Sequence, residues 1–348
     1  MIDKAICMYL YKDKHIINKR DIMSDKHTAW NNPIKYQIKD GLTDNVIEKA
    51  LKEIENNTCI EFKASNLEKN DTQGIVFEKD SYCASSVGRV HRMNTQTIQL
   101  TIECGKSIGV ILHELGHALG LVHEQSRTDR DKYVDVANDN IQENERVNFK
   151  IRSHEIFKNF SIYYDYASIM HYGQYDFATR RNTPVLKSNL HSEYDRMMGQ
   201  RLYMTFNDYK QLNLAHCCKC NIKKTKEKKG KGKKGQKGQK EKKKNRNPCF
   251  NGGYLDFRDC KKCICPLGYT GSDCNNIAQS DKSCGDTTYK VTKNLYKYGL
   301  LGEKKCFVFL LAEEGKKIEI TVYYAHARSR KICTEDVSHQ IKYLLCLC

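Results

Sequence analysis

From Ser107 to Glu124 the chain reads SIGVILHELGHALGLVHE, and this stretch sets the fold expected of everything around it. Its first two thirds is apolar apart from the charged and imidazole positions, which predicts a buried helix. On such a helix His113 and His117, four residues apart, stack about one turn from each other on one face, near enough to share one ion. Glu114 points partly sideways from the first of them, where its carboxylate can hold a water that a bound cation polarises. Gly120 lets the chain leave the helix through a positive φ and brings His123 round as a third nitrogen. Three protein nitrogens plus a water is the open arrangement of a catalytic zinc, in contrast to the closed arrangement of a structural one. A lone histidine here would be ordinary core or surface. Three at fixed offsets, with Glu and Gly also fixed, arise by chance in far fewer than ~1 in 1,000 chains of this composition.

Working upstream, GLTDNVIEKALKEIENNTCIEF places Val46, Ile47, Ala50, Leu51 and Ile54 at the period of an amphipathic helix, with Thr43 or Asp44 as N-cap. The helix is expected to run into a strand at Cys59 to Phe62, and Thr97 to Glu103 alternates as a second strand with one wet face. Downstream of Cys220 the character changes to a lysine tract and then to CFNGGYLDFRDCKKCICPLGYTGSDC, dense in Cys, Gly and turn residues. Such a module is too small to own a core and depends on disulfides. From Cys284 to Cys348, CFVFLLAEEGKKIEITVYY suggests two alternating runs joined by a Glu-Glu-Gly turn, a piece of a β-sandwich.

Composition narrows the class. With 348 residues, two or three domains are expected, and 39% hydrophobic content supports at least one sizeable core. No apolar run approaches the ~18 to 20 residues of a membrane span. The 17 cysteines favour an oxidising, secretory destination. The sequons at Asn56, Asn70 and Asn159 lean the same way. The first fifteen residues have an apolar stretch only from Ala5 to Tyr11 and make a poor signal peptide, so a missing true start is expected. The formal net charge of +17 is local: Lys223 to Arg246 carries +12 of it and the remainder only +5. That Lys/Gly/Gln tract cannot fold alone. It has no interleaved aromatic to stack on bases, which argues against specific nucleic-acid reading; it is expected to act as a tether to sulfated glycans or other extracellular polyanions, with a solvated spacer that has no partner as the alternative.

The full motif His113-Glu114-Leu-Gly-His117-Ala-Leu-Gly120-Leu-Val-His123-Glu124 is followed by Arg127-Thr-Asp-Arg-Asp-Lys-Tyr133-Val, and later by Tyr164-Asp-Tyr-Ala-Ser168-Ile-Met170-His171-Tyr172-Gly. In these segments the sequence closely resembles the astacin family of metzincin zinc metalloendopeptidases, in the nematode-type arrangement with EGF-like and CUB-like C-terminal segments. The resemblance covers Trp30 to Cys217. It implies an α+β fold: a two-lobed metzincin or zincin-like catalytic domain with a zinc cleft, then a disulfide-rich EGF-like module and a partial CUB-like β-sandwich. The first lobe would hold a twisted sheet and two long helices, and the second would be largely irregular.

It further implies one Zn2+ held by His113, His117 and His123, Glu114 as the base that activates water, Met170 as an apolar floor, and Tyr172 as a group that swings to stabilise the oxyanion. Arg201 occupies a position where relatives that prefer an acidic residue just after the scissile bond carry an arginine. Cys59 is expected to pair with Cys217, with Cys218 and Cys220 as competitors, and Cys83 with Cys104. Cys249, Cys260, Cys263, Cys265 and Cys274 fit an EGF pattern whose first cysteine precedes the lysine tract. A CUB module needs about a hundred residues; from Cys284 there are 65, so a truncated or divergent one is expected. The Phe-x-Gly-Asp by which family pro-segments hold zinc does not occur before Trp30. The dibasic Lys19-Arg20 suggests cleavage that would leave Asp21 as a terminus near Glu124.

The chain thus divides into a pro-segment remnant (1–20), a protease domain (21–220), a lysine-rich linker (221–247), an EGF-like module (248–275) and a CUB-like segment (284–348). The expected activity is secreted, zinc-dependent endopeptidolysis of extracellular polypeptides. The competing readings are a binding protein carrying a relic protease domain and a polyanion binder built on the tract. Intact catalytic positions argue against the first.

Overall fold

The computed structural model describes residues 30–67, 73–90, 95–152, 162–217 and 248–294 without interruption, strands at 6–9, 19–23 and 157–159, and parts of 297–347. The lysine tract, Cys218, Cys220 and Asn70 lie outside the described residues.

Two strands precede the main sheet, β1 (Ile6–Tyr9) and β2 (Lys19–Met23). Ile22 of β2 is fully buried and forms an antiparallel bridge with Leu121. The sheet itself comprises β3 (Ile34–Ile38), β4 (Phe62–Ala64), β5 (Gly74–Lys79), β6 (Ala84–Ser85) and β7 (Thr95–Leu100), in the order β4-β3-β5-β7-β6. All neighbours are parallel except the edge strand β6. Helix α1 (Asp44–Asn57) covers it with Ile47, Ala50, Leu51 and Ile54, the face that the periodicity predicts.

Two strand expectations shift. Cys59 to Glu61 is not strand, because Thr58 folds back, donating its hydroxyl to Ile54 O (2.8 Å) and accepting Ile60 N–H, while Cys59 is tied to Cys217; pairing begins only at Phe62. Likewise β7 ends at Leu100, since Thr101 caps the short helix α2 (Ile102–Gly105) by accepting Cys104 N–H. Helix α3 (Ile108–Ala118), capped by Ser107, then runs buried beneath the sheet.

Beyond α3 lies a second core around Val134, Phe149, Tyr164, Tyr166, Leu186 and Tyr194, built mostly from 3-10 turns and one two-stranded ribbon, β8 (Val134–Val136) with β10 (Leu186–Ser188). The pairing partner of β2, β9 (Phe157–Asn159), lies between them in sequence. Helix α4 (Phe206–His216) closes the domain with a Thr205/Asp208 capping box and returns Leu212 to the first core. The first core thus belongs to a sheet packed with α1 and α3, to which α4 adds Leu212, and the second is largely irregular, as expected.

The C-terminal part holds two small ribbons, β11 (Tyr254–Leu255) with β12 (Cys263–Ile264) and β13 (Tyr269–Thr270) with β14 (Asn276–Ile277). Bridges Cys249–Cys263 and Cys265–Cys274 staple them, and Cys260 is also disulfide-bonded. The expected β-sandwich is not formed among the described residues. The remaining strands, β15 (Thr288–Lys290), β16 (Cys306–Leu311), β17 (Gln340–Tyr343) and β18 (Leu345–Leu347), form one sheet with β1, in the order β15-β16-β1-β17-β18. After β16 Lys316 N–H donates to Glu313 O, the middle of the expected Glu-Glu-Gly turn lies outside the described residues, and 318–321 is not strand. Both edges of β16 are already taken, by β15 and β1, so no ladder is left for a hairpin partner. Among the described residues no second sheet stacks on this one.

Candidate active site

Helix α3 ends in a Schellman motif: Gly120 N–H donates to His117 O and Leu121 N–H to Gly116 O, with Gly120 at φ +103°. This turn carries His123 back over the helix, so that one ring nitrogen from each of His113, His117 and His123 lies within 4.8 Å of the others. The rings are oriented from behind. His113 Nδ1 donates to Ile169 O (2.8 Å) and His117 Nδ1 to Leu121 O (2.9 Å). Their Nε2 atoms therefore present bare lone pairs, 3.4 and 3.0 Å from His123 Nε2. Burial holds all three imidazoles neutral at physiological pH, His117 lowered to about 4 and the other two well below their ordinary value. Convergent ring nitrogens of neutral imidazoles are the donor set that binds zinc.

Glu114 is buried, its Oε2 has no hydrogen-bond partner, and burial pushes its carboxyl up to about 7 against the pull of Arg201. An orphaned buried carboxylate oxygen beside three convergent nitrogens fits a site that takes a metal and a water.

Below the histidines, Ser168 to Gly173 forms a tight turn. Met170 is buried, and its Sδ sits where a Cβ on Gly116 would come within 2.8 Å, so the helix can rest on the thioether only because residue 116 is glycine. The turn is stitched to the strap after α3: Glu124 N–H donates to Met170 O (3.1 Å) and Tyr172 N–H to Gln125 Oε1 (3.1 Å). The Tyr172 ring lies 4.3 Å from that of His123, and burial raises its phenol, keeping the hydroxyl protonated.

A family model for the astacin peptidases matches residues 22–217. The chain belongs to the astacin family. Among similar curated proteins are the zinc metalloproteinase dpy-31 of Brugia malayi, 32% identical over 88% of this chain and 49% of its own length, and zinc metalloproteinase nas-36 of Caenorhabditis elegans, 34% identical over 89% and 48%. The chain spans about half the length of these relatives. Among solved structures, the hatching enzyme zinc-protease high choriolytic enzyme 1 of Oryzias latipes is 29% identical, covering 53% of this chain and 92% of its own, with a TM-score of 0.48.

Within this astacin domain the bridges Cys59–Cys217 and Cys83–Cys104 are those the resemblance implies. Arg201 is brought to the site. Its Nη1 donates to His171 O (2.9 Å) and Gln200 O (2.8 Å), and its charge acts on His113, Glu114 and Tyr172. Its backbone presses on α3, where a Cβ on Gly109 would clash with the Arg201 carbonyl. Two supports escaped the sequence reading. Asp208 of α4 accepts Ile169 N–H (3.1 Å) and the Ser168 hydroxyl (2.6 Å), and that hydroxyl accepts Met170 N–H (3.0 Å), so the peptides on both sides of Ile169, whose carbonyl orients His113, are held from α4. Glu124 Oε1 accepts Arg127 Nη1 (2.9 Å) and Asp165 N–H (2.8 Å), which ties the strap after α3 to the segment that leads into the Met170 turn.

Proposed function

We propose that this chain is a secreted zinc endopeptidase that cleaves extracellular polypeptides. The observation that carries the reading is the orphaned, buried Glu114 Oε2 beside three imidazole nitrogens, two of whose rings are committed through Nδ1 to backbone carbonyls. His113, His117 and His123 would hold the zinc, which when bound lowers the pKa of a water toward ~7 and polarises a carbonyl. Glu114 then accepts the water's proton as it attacks the scissile carbonyl and delivers that proton to the leaving amine. The Tyr172 hydroxyl donates to the oxyanion. Arg201 supplies a positive charge for an acidic residue just after the scissile bond; a cleavage profile with no Asp or Glu enrichment there, or one unaltered by Arg201→Ala, removes this part. The disulfides and the named zinc metalloproteinase relatives support the compartment and the class. Stapled ribbons support an EGF-like module at 248–275, and the tract at Lys223 to Arg246 is proposed to hold polyanions.

The test compares two variants. Glu114→Ala should retain zinc and lose about 10³-fold or more in kcat, because the carboxylate that takes the water's proton is removed. Tyr172→Phe should lose less, roughly 10-fold to 10²-fold, because the metal still faces the oxyanion. Equal, mild losses would overturn the assignment.

A further inference from the structure

The Tyr172 backbone is fixed by Gln125, but the tilt of its ring is set by packing alone: Phe149 at 5.4 Å and 67°, Phe177 at 5.2 Å and 52°, and His123 at 4.3 Å. Phe149 and Phe177 also meet each other edge to face, at 6.2 Å and 89°. Phe177 is unusual in its backbone. At φ +61° it is the one non-glycine residue of the described astacin domain in the left-handed region, where an aromatic side chain is disfavoured.

The turn that forces this is bound on both sides. Gln142 N–H donates to Phe177 O (3.0 Å), Ile141 bridges Ala178, and Thr179 N–H donates to Asn140 O (2.8 Å). On the near side Gly173 N–H donates to Asp176 Oδ2 (2.8 Å) and Ala178 N–H to Tyr175 O. Glycine or asparagine would make such a turn without strain. What phenylalanine adds is the ring against Tyr172.

We infer that Phe177 is a positioning residue for Tyr172, its left-handed backbone aiming the phenyl group so that, with Phe149, it fixes the angle at which the phenol presents its hydroxyl to the reacting carbonyl. The inference rests on the reading of Tyr172 as oxyanion donor. A preorganised donor loses its value when its angle is free, so the ring matters to turnover and little to substrate binding.

The experiment is a double-mutant cycle on the zinc-loaded protein, with Phe177→Gly, Phe177→Leu, Tyr172→Phe and the Tyr172→Phe/Phe177→Gly pair. Zinc content, melting temperature, kcat and KM are read for each, with the affinity for a phosphinic peptide whose tetrahedral oxygen mimics the oxyanion. Phe177→Gly should lower kcat roughly tenfold and weaken the phosphinic peptide by a similar factor, with KM within about twofold and zinc content intact. Phe177→Leu, which keeps bulk and the strained turn, should fall between. In the Tyr172→Phe background Phe177→Gly should cost less than about twofold more. Equal losses in both backgrounds, or a loss seen only in zinc content or KM, overturn the role of Phe177 while leaving Tyr172 in place. If Tyr172→Phe costs nothing, the reading of Tyr172 fails and this inference falls with it.

Discussion

Arg127 is 1% exposed, yet its guanidinium is almost fully subscribed: Nη1 to Glu124 (2.9 Å), Nε and Nη2 to the two oxygens of Asp129 (3.0 and 3.3 Å), and Nη2 to Ile162 O (2.9 Å). A buried charge with this many partners is costly to break, because removing it strands two buried carboxylates. Arg127→Ala should therefore cost about 3–5 kcal/mol of stability, read as a shift of the urea midpoint in zinc-loaded protein. Arg127→Lys should recover only part of that, since an ammonium cannot engage Asp129 with two parallel bonds. A loss under about 1 kcal/mol for the alanine variant would show the network to be dispensable. At this scale the sequence was readable where chemistry sits at fixed short offsets, as with His113, His117 and His123. It was silent on Phe177, whose signal is a backbone angle, and on Asp208, whose partners in the Met170 turn lie some forty residues away.

The elements divide by how they bury themselves. Helix α1 was legible because one face is apolar, and the end of α3 because Gly120 takes a positive φ. Helix α4 was not, because its buried positions include Asp208, Lys210, Gln211 and Asn213 and no apolar stripe marks it. Strand β5 hid for the opposite reason, Ile75, Val76 and Phe77 being a short continuous apolar run with no alternation. Polar burial in α4 has a pH signature. Burial and the neighbouring Asp165 push Asp208 up to about 6, against its hydrogen bonds. The unfolded value is ~3.9, so the folded chain binds the proton more tightly; the stability this gives is complete below about pH 4 and is lost as pH rises through about 6. Asp208→Asn cannot ionise. The variant's deficit relative to wild type should thus be larger at about pH 4.5 than at about pH 7, in thermal unfolding at matched zinc. A deficit that grows with pH would reverse the assignment.

At the scale of the whole molecule, the stapled module is docked on α4. Lys210, its ammonium lowered to about 8 by burial, donates to Gly252 O (2.7 Å); the rings of Phe206 and Tyr254 lie 5.4 Å apart, Asn213 reaches the Tyr254 hydroxyl (3.3 Å), and Arg258 meets the Asn56 carbonyl. Tyr254 is 2% exposed. Astacin domain and module should therefore melt as one cooperative unit, and Tyr254→Ala should split the calorimetric transition in two. Two transitions already in the wild type would mean the contact is too weak to couple them. The lysine tract begins after Cys217 at the end of α4 and ends just before the module that returns to α4. Deleting Lys223 to Arg246 should abolish heparin retention at moderate salt, as expected of many screened charges, while cleavage of a short neutral peptide persists. Retention that survives would place the basic surface elsewhere.

The bridge between Cys59 and Cys217 spans 158 residues and encloses α3, the tight turn at Met170 and Arg201. If the proposed endopeptidase activity reaches the chain's own loops, that closure changes what autolysis can do. A single nick anywhere inside the ring leaves two pieces joined by sulfur, with the chain ends held where folding put them. Self-cleaved protein should then run as one band without reductant and as two with it, and part of the nicked population should keep its turnover until the disulfide is reduced.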